Sequence, residues 1–241
     1  GQAVSSPGAV GSTEVAEQLV ETAVSAFGHL DIMVTNAGAL RDRTVDRMDD
    51  EDFDLVVTSH LRGTFTCGRA AIQRFRAQGE GGRLILVGSP AGQRGSFGQT
   101  AYSAAKAAIV GMGRTWAVEC ERFEVTVNAI VPTALTRMVA TIPGLSEAVE
   151  ASEQGEPVPG QLRRRGFGPP ADAAPLVVYL ASDQARNVTG QAIGIGGDRL
   201  VLWSHPDEQL AAWREGGWEP DGIASFFDEV AHPRLQDFRS L

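Results

Sequence analysis

Over residues 14–27 (EVAEQLVETAVSAF) the apolar positions Val15, Leu19, Ala23 and Phe27 recur in steps of four, a stripe along one face of a helix. Ser12 or Thr13 is placed to cap its start and Gly28 to stop it. The run LDIMVTNAG (30–38) then reads as a short buried strand opening into a loop. Helical periodicity fills residues 50–78, RLILVG (83–88) is a second strand, and residues 100–121 form another helix. EVTVNAIV (124–131) is a third strand, ADAAPLVVYLAS (171–182) a helix and QAIGIGG (191–197) a final strand. Strands alternating with long helices predict an α/β fold, a doubly wound parallel sheet covered on both faces.

Two stretches break this rhythm. Residues 141–170 mix Pro, Gly and Glu and predict an irregular, mobile excursion between strand and helix. From Trp203 to Leu241 the chain holds Trp203, Trp213 and Trp218 and two short amphipathic segments. The reading is a domain over 1–203 and a tail over 204–241 that packs on it or on a neighbouring subunit.

Composition narrows the function classes. A length of 241 residues suits one α/β domain. With Lys+Arg 21 against Asp+Glu 30 and a pI near 5.0, no basic surface for nucleic acid is expected, and a small molecule is the expected partner. No apolar run approaches the roughly 18 residues that span a bilayer, so no membrane partner is expected. Cys67 and Cys120 lie far apart in apolar helical patterns, as core thiols of a reducing, cytoplasmic compartment do, and have no metal-ligand spacing.

Candidate chemistry sits in YSAAK (102–106). Residues at i and i+4 share a helix face, so Tyr102 and Lys106 point the same way. At an effective dielectric of about 20, an ammonium 4 to 5 Å from a phenolate stabilises it by roughly 3 to 4 kcal/mol, or about two to three pKa units. A tyrosine tuned in this way exchanges protons with an alcohol near neutrality. Taken alone, the same spacing also describes a packing Tyr and a surface Lys on an ordinary amphipathic helix.

Further landmarks follow in a fixed order: TNAG (35–38) after a strand, GSPAGQRGSFGQTAYSAAK (88–106), and VNAIVPTALTRM (127–138). Together they resemble the short-chain dehydrogenase/reductase family, over about residues 1–203. NAGALRDRTVDRM, FDLVVTSHLRGTF and VTGQAIGIGG are similar to the branch containing the (3R)-hydroxyacyl-CoA dehydrogenase units of multifunctional β-oxidation proteins. The resemblance implies hydride transfer between NAD or NADP and a secondary alcohol or ketone, with an acyl-CoA as one substrate class. It makes Tyr102 the acid/base, Lys106 the group that lowers its pKa and holds the nicotinamide ribose, and Ser89 the hydrogen-bond partner of the substrate oxygen. Asn36, Ala37 and Gly38 would approach the cofactor ribose, where a side chain at 38 would collide. Pro132 and Thr136 would line the nicotinamide side, Thr136 either bonding the carboxamide or capping its own loop. The family's subunit contacts would fall on helices 50–78 and 100–121, giving a homodimer or homotetramer.

The departures are equally specific. Where the family usually carries a helix asparagine that holds a relay water, this chain has His60, either a proton-relaying imidazole or a buried, satisfied helix histidine. Ala9 stands where an acidic residue normally reads the adenine and cannot accept that bond. No T-G-x-x-x-G-x-G precedes TNAG; spacing puts residues 2–5 at the family's third strand, so the fold is expected to lack its first strands and the glycine-rich phosphate loop. Two readings follow: the body of an N-terminally truncated oxidoreductase, or a cofactor-free, catalytically silent structural or partner subunit. Arg163, Arg164 and Arg165 are the local hint of a phosphate partner, or simply solvated charge.

Overall fold

Leu84, Ile85, Leu86 and Val87 are all buried, as strand residues are only when both faces of a sheet are covered. They belong to β2 (Gly82–Val87) of a five-stranded sheet whose spatial order follows the chain: β1 (Ile32–Thr35), β2, β3 (Val125–Pro132), β4 (Ala192–Gly196) and β5 (Arg199–Trp203). The first three pairings are parallel and the last is antiparallel. The computed structural model describes residues 1–142 and 144–236, and packs as two units, Gly1–Trp203 and Ser204–Leu241.

Leu84, Leu86, Val127, Ala129 and Val131 face a core closed by α1 (Thr13–Phe27), α3 (Gly63–Gln78) and α5 (Thr100–Cys120). Ile85, Val87 and Ile130 face the opposite layer, where Leu176 and Leu180 of α8 (Ala174–Ala181) cover them. The shorter helices are α2 (Asp50–Val57), α4 (Pro90–Arg94), α6 (Ser146–Glu153), α7 (Gly160–Arg164) and, in the second unit, α9 (Pro220–Phe226). The α/β class with helices on both faces is as expected.

Several expectations change in detail. Ser12 caps α1, accepting from the Val15 N–H at 3.3 Å, and Gly28 ends it at φ 93°. Its buried positions, however, are Ala16 and Val20, and Phe27 is 48% exposed. A strict step of four drifts about 40° per repeat on a helix of 3.6 residues per turn, which carries Phe27 off the core face. β1 is not a buried strand but an edge: Ile32 and Val34 are 42% and 40% exposed while Met33 is buried. Residues 2–5 form no strand, and no described strand pairs with the outer side of β1.

The helix expected over 50–78 is interrupted by a π-helical turn at Thr58–Arg62. Residues 141–170 hold α6 and α7, with Leu145 and Val149 buried, so the expected irregular excursion is partly helical. The sheet continues past residue 197 into β5, whose Leu200 and Leu202 are 70% and 68% exposed. In the second unit, edge-on rings link Trp218 to Phe226, Phe226 to Phe227 and Phe227 to His232. The last five tail positions, 237–241, lie outside the described residues.

Candidate active site

Three neighbouring parallel strands end on the same side of the sheet, β1 at Thr35, β2 at Val87 and β3 at Pro132. Ligands of open α/β sheets bind in the crevice beyond such carboxyl ends. The loops leaving them carry Asn36 to Gly38, Ser89, and Pro132 to Thr136. Asn36 and Ala37 are exposed there, open to a ligand.

Tyr102 stands in the first turn of α5, and three of the expected partners converge on it. Ser89 caps α4, accepting from the Ala91 N–H at 3.2 Å, and also hydrogen-bonds the Tyr102 phenol. Capping role and site role thus coexist in one hydroxyl. Lys106 lies one turn further along α5, 3% exposed, its Nζ 5.6 Å from the Tyr102 ring centroid. His60, 2% exposed, presents its ring edge-on to that of Tyr102, centroids 5.1 Å apart. The π-helical turn at Thr58–Arg62 puts it there: one extra residue in a turn shifts the side-chain register of the helix. Gly92 lets α4 lie flush on α5, since a Cβ there would meet the backbone of Lys106 and Ala107.

The electrostatics differ from expectation. Burial pushes the Tyr102 phenol above its ordinary value, the bond from Ser89 pulls it down, and the Asp42 charge raises it. No lowering by Lys106 offsets this; its ammonium donates to the Val87 carbonyl at 2.6 Å. Burial brings Lys106 itself down to about 8, so it remains mostly charged at neutrality. His60 is pushed down to about 4, first by burial and then by the Lys106 charge. Its Nε2 lies 2.9 Å from the Ala39 carbonyl, an acceptor only, so Nε2 carries the hydrogen. Nδ1 is then a bare acceptor, and it is buried with no hydrogen-bond partner. His60 is therefore a buried helix histidine of which only half is satisfied.

A Cβ on Gly38 would run into the His60 ring, so a constraint from within the protein itself also keeps this position a glycine. The backbone carbonyl of Thr136 accepts the Val139 and Ala140 N–H groups, at 2.8 and 3.1 Å, main-chain bonds that close its loop. Arg163 pairs with Asp198 at 2.8 Å and Asp172 at 3.0 Å, fastening α7 to the β4–β5 turn, so it is not a free phosphate ligand. Arg165 rests over Phe167. Asn128, in VNAIVP, is structural: its amide donates to Val188 and accepts from Gln191.

Sequence reasoning missed Asp42. It sits in the loop after β1 and accepts from Gln99 at 3.0 Å, three residues before Tyr102. Its only sequence signal was the alternation Arg41-Asp42-Arg43, which sends the two arginines toward Asp52 and Asp42 toward Gln99. Among the described residues no cluster of His, Cys, Asp and Glu could hold a metal ion, and no helix is long and apolar enough to cross a membrane. Cys67 and Cys120 are free and buried, as expected of core thiols.

A family model described as Enoyl-(Acyl carrier protein) reductase matches residues 1–197. The peroxisomal multifunctional enzyme type 2 of Mus musculus is 33% identical over 220 residues, 91% of this chain and 28% of that protein. The hydroxyacyl-CoA dehydrogenase ChsB1 of Mycobacterium tuberculosis is 36% identical over 232 residues, 93% of this chain and 69% of that one. The crystal structure of a short chain dehydrogenase from Mycobacterium avium superposes with a TM-score of 0.78 at 33% identity, covering 93% of this chain and 72% of the other. The chain thus spans little more than a quarter of the multifunctional relative and about seven tenths of the other two.

Proposed function

The chain belongs to the short-chain dehydrogenase/reductase family, and from that premise we propose that it carries the catalytic centre of an oxidoreductase that interconverts a secondary alcohol and a ketone, with a 3-hydroxyacyl thioester as the substrate class. The observation that carries this reading is the convergence of Ser89, His60 and Lys106 on one half-buried phenol, Tyr102. A silent subunit has no physical use for that arrangement. The thioester rests on the printed activity of the Mycobacterium tuberculosis relative and on the branch resemblance.

The residues present fit the nicotinamide half of NAD or NADP. Thr35 Oγ1 and His60 Nδ1 are buried without a partner near the strand ends, Asn36 and Ala37 are exposed beside them, and Pro132 closes the third strand. Bound there, the dinucleotide supplies or accepts the hydride at the carbon of the reacting carbinol or carbonyl. Tyr102 gives the proton to the ketone oxygen in reduction and takes it back in oxidation. Ser89, one residue past the Gly88 that follows β2, shares its hydroxyl with the phenol and steadies the same oxygen. Lys106 keeps a positive charge beside the phenol, which stabilises the phenolate left when the proton is given up. His60, neutral at pH 7, offers Nδ1 as an acceptor and so holds a donor such as water near Tyr102 without adding charge.

The phosphate half has no cradle among the described residues, where no glycine-rich strand-to-helix turn precedes β1 and Ala9 stands at the adenine position. A cofactor-free partner subunit of the same fold is the alternative reading. The same proposal assigns residues 1–203 to the catalytic domain and 204–241 to an appended segment, a homodimer or homotetramer as the assembly, and a reducing compartment such as the cytoplasm for the free thiols. The test is an assay of the full-length protein for oxidation of NADH or NADPH with 3-oxoacyl-CoA esters and with simple ketones. Turnover of the thioesters supports the proposal; absence of turnover with either cofactor and every ketone favours the silent subunit.

A further inference from the structure

The connections that leave the carboxyl ends of β1, β2 and β3 share a property that the loops at the other end of the sheet lack. The run from β1 to α2 exposes Val45, that from β2 to α5 exposes Phe97, and that from β3 to α6 exposes Met138 and Ile142. The loops that enter the strands, 28–31, 79–81, 121–124 and 182–191, expose no large apolar side chain: Leu30 is buried, and Phe123 and Val188 are half-buried. Apolar residues exposed singly are ordinary on a protein surface. Here the exposure in loops is confined to the end of the sheet that carries Ser89 and Tyr102.

Phe97 is the extreme case, 93% exposed. Its backbone is fixed on both sides. Gly95 and Gly98, at φ 81° and 74°, bend the chain around Ser96 and Phe97. The Gly95 N–H donates to the Ala91 carbonyl at 2.8 Å, the Gln99 N–H to the Ser96 carbonyl at 3.2 Å, and the Arg43 N–H to the Gly98 carbonyl at 2.8 Å. The last of these, with Gln99 Nε2 donating to Asp42 at 3.0 Å, ties the loop to the one that carries Val45. Phe97 also stands between the two groups proposed to hold the reacting oxygen, eight residues after Ser89 and five before Tyr102. Even fully extended, five residues reach about 18 Å at most, and the last of these are helical.

We propose that Phe97, with Val45 on the loop tied to it, forms an apolar rim over which the acyl chain of the thioester substrate lies, so that Phe97 sets how strongly long acyl chains are favoured over short ones. The inference rests on the acyl thioester reading of the site. Such a chain is bonded to the reacting carbon and leaves the crevice between these connections. Each methylene that it lays on a bare phenyl ring is removed from water, whereas a polar substrate gains nothing there. The Gly95–Gly98 stretch carries no charge that would oppose it.

Because the ring is exposed, Phe97→Ala is expected to keep the wild-type melting temperature. The readout is a ratio measured on the full-length protein: kcat/KM for 3-oxododecanoyl-CoA over kcat/KM for 3-oxobutanoyl-CoA. Phe97→Ala is expected to lower that ratio about tenfold, while Phe97→Leu, still apolar, retains most of it. Calorimetric titration of dodecanoyl-CoA and butanoyl-CoA gives the corresponding ratio of affinities without turnover, and the same loss is expected there. Ratios in Phe97→Ala that stay within about twofold of wild type in both measurements overturn the inference. If light scattering then shows a smaller assembly for the variant, the ring is a contact between copies of the chain instead. A wild-type protein that neither reduces nor binds any of these esters overturns the substrate reading, and this inference with it.

Discussion

The imidazole of His60 stands edge-on to the phenol of Tyr102, planes at 78°, while its other side occupies the space in which Gly38 would carry a Cβ. Loop, helix and the Tyr102 phenol are therefore packed in series through one ring. Gly38→Ala should displace His60 and destabilise the fold by about 1 to 3 kcal/mol, the usual cost of overpacking. Adding His60→Ala should recover much of that loss, since the new methyl then enters the space the ring vacates. Denaturant unfolding of the two single variants and the double variant measures the coupling. Strictly additive losses would show that the two residues do not share this space.

The depressed titration of His60 fixes a pH dependence. Above its ordinary value of 6.5 both folded and unfolded chains hold it neutral, and its contribution to stability is fully present. As pH falls from 6.5 toward about 4 the unfolded chain takes up a proton that the folded chain refuses, so stability declines across that window. The loss is on the order of 3 kcal/mol by the time the folded state also protonates. His60→Gln should flatten this segment of the stability curve relative to wild type. Parallel curves for the two proteins across that window would contradict the assignment.

Arg163 is expected to behave as a structural residue. Arg163→Ala cuts the ties to Asp172 and Asp198 and should lower the melting temperature, while KM for a CoA thioester stays as close to wild type as KM for the same acyl group on pantetheine. A rise in KM confined to the CoA ester would restore the phosphate role.

Phe65 of α3 and Val118 of α5 are 40% and 76% exposed, on the two helices proposed as the subunit interface. We expect light scattering to give a homodimer or homotetramer at micromolar concentration. A stable monomer there would count against the assembly.

Much of this architecture is legible in the chain. β2, β3 and α5 announce themselves because both-face burial demands unbroken apolar runs; Tyr102 and Lys106 follow from their i, i+4 spacing, whereas Ser89 came only through the family resemblance. The π-helical turn is not legible, since Val57, Thr58 and Gly63 all keep right-handed helical angles and only the hydrogen-bond step changes. β5 escaped because Leu200 and Leu202 point outward while Val201 and Trp203 are the inner pair, so its apolar pattern carries no inside-outside contrast. The packing of Gly38 on His60 was not legible because the two lie 22 positions apart in sequence. Asp42 was missed because nothing local distinguishes a carboxylate turned toward Gln99 from two neighbours turned toward Asp52.

A polypeptide limited to residues 1–241 should bind dinucleotide weakly, because the proposed site holds the nicotinamide end and the described residues include no phosphate cradle. Calorimetric titration of NAD and NADP into that polypeptide, and into a form extended at its amino terminus, compares the two. Tight binding to the shorter form would contradict this account of the site.

The central claim, that Tyr102 is the proton donor and acceptor, is tested most directly by Tyr102→Phe in the full-length protein. The ring still packs against His60, so fold and dinucleotide affinity should hold, the latter within about twofold of wild type. Only the proton is lost, and kcat should fall by roughly 100-fold or more, the usual scale of general acid catalysis. A phenylalanine variant that turns over at close to the wild-type rate would contradict the claim.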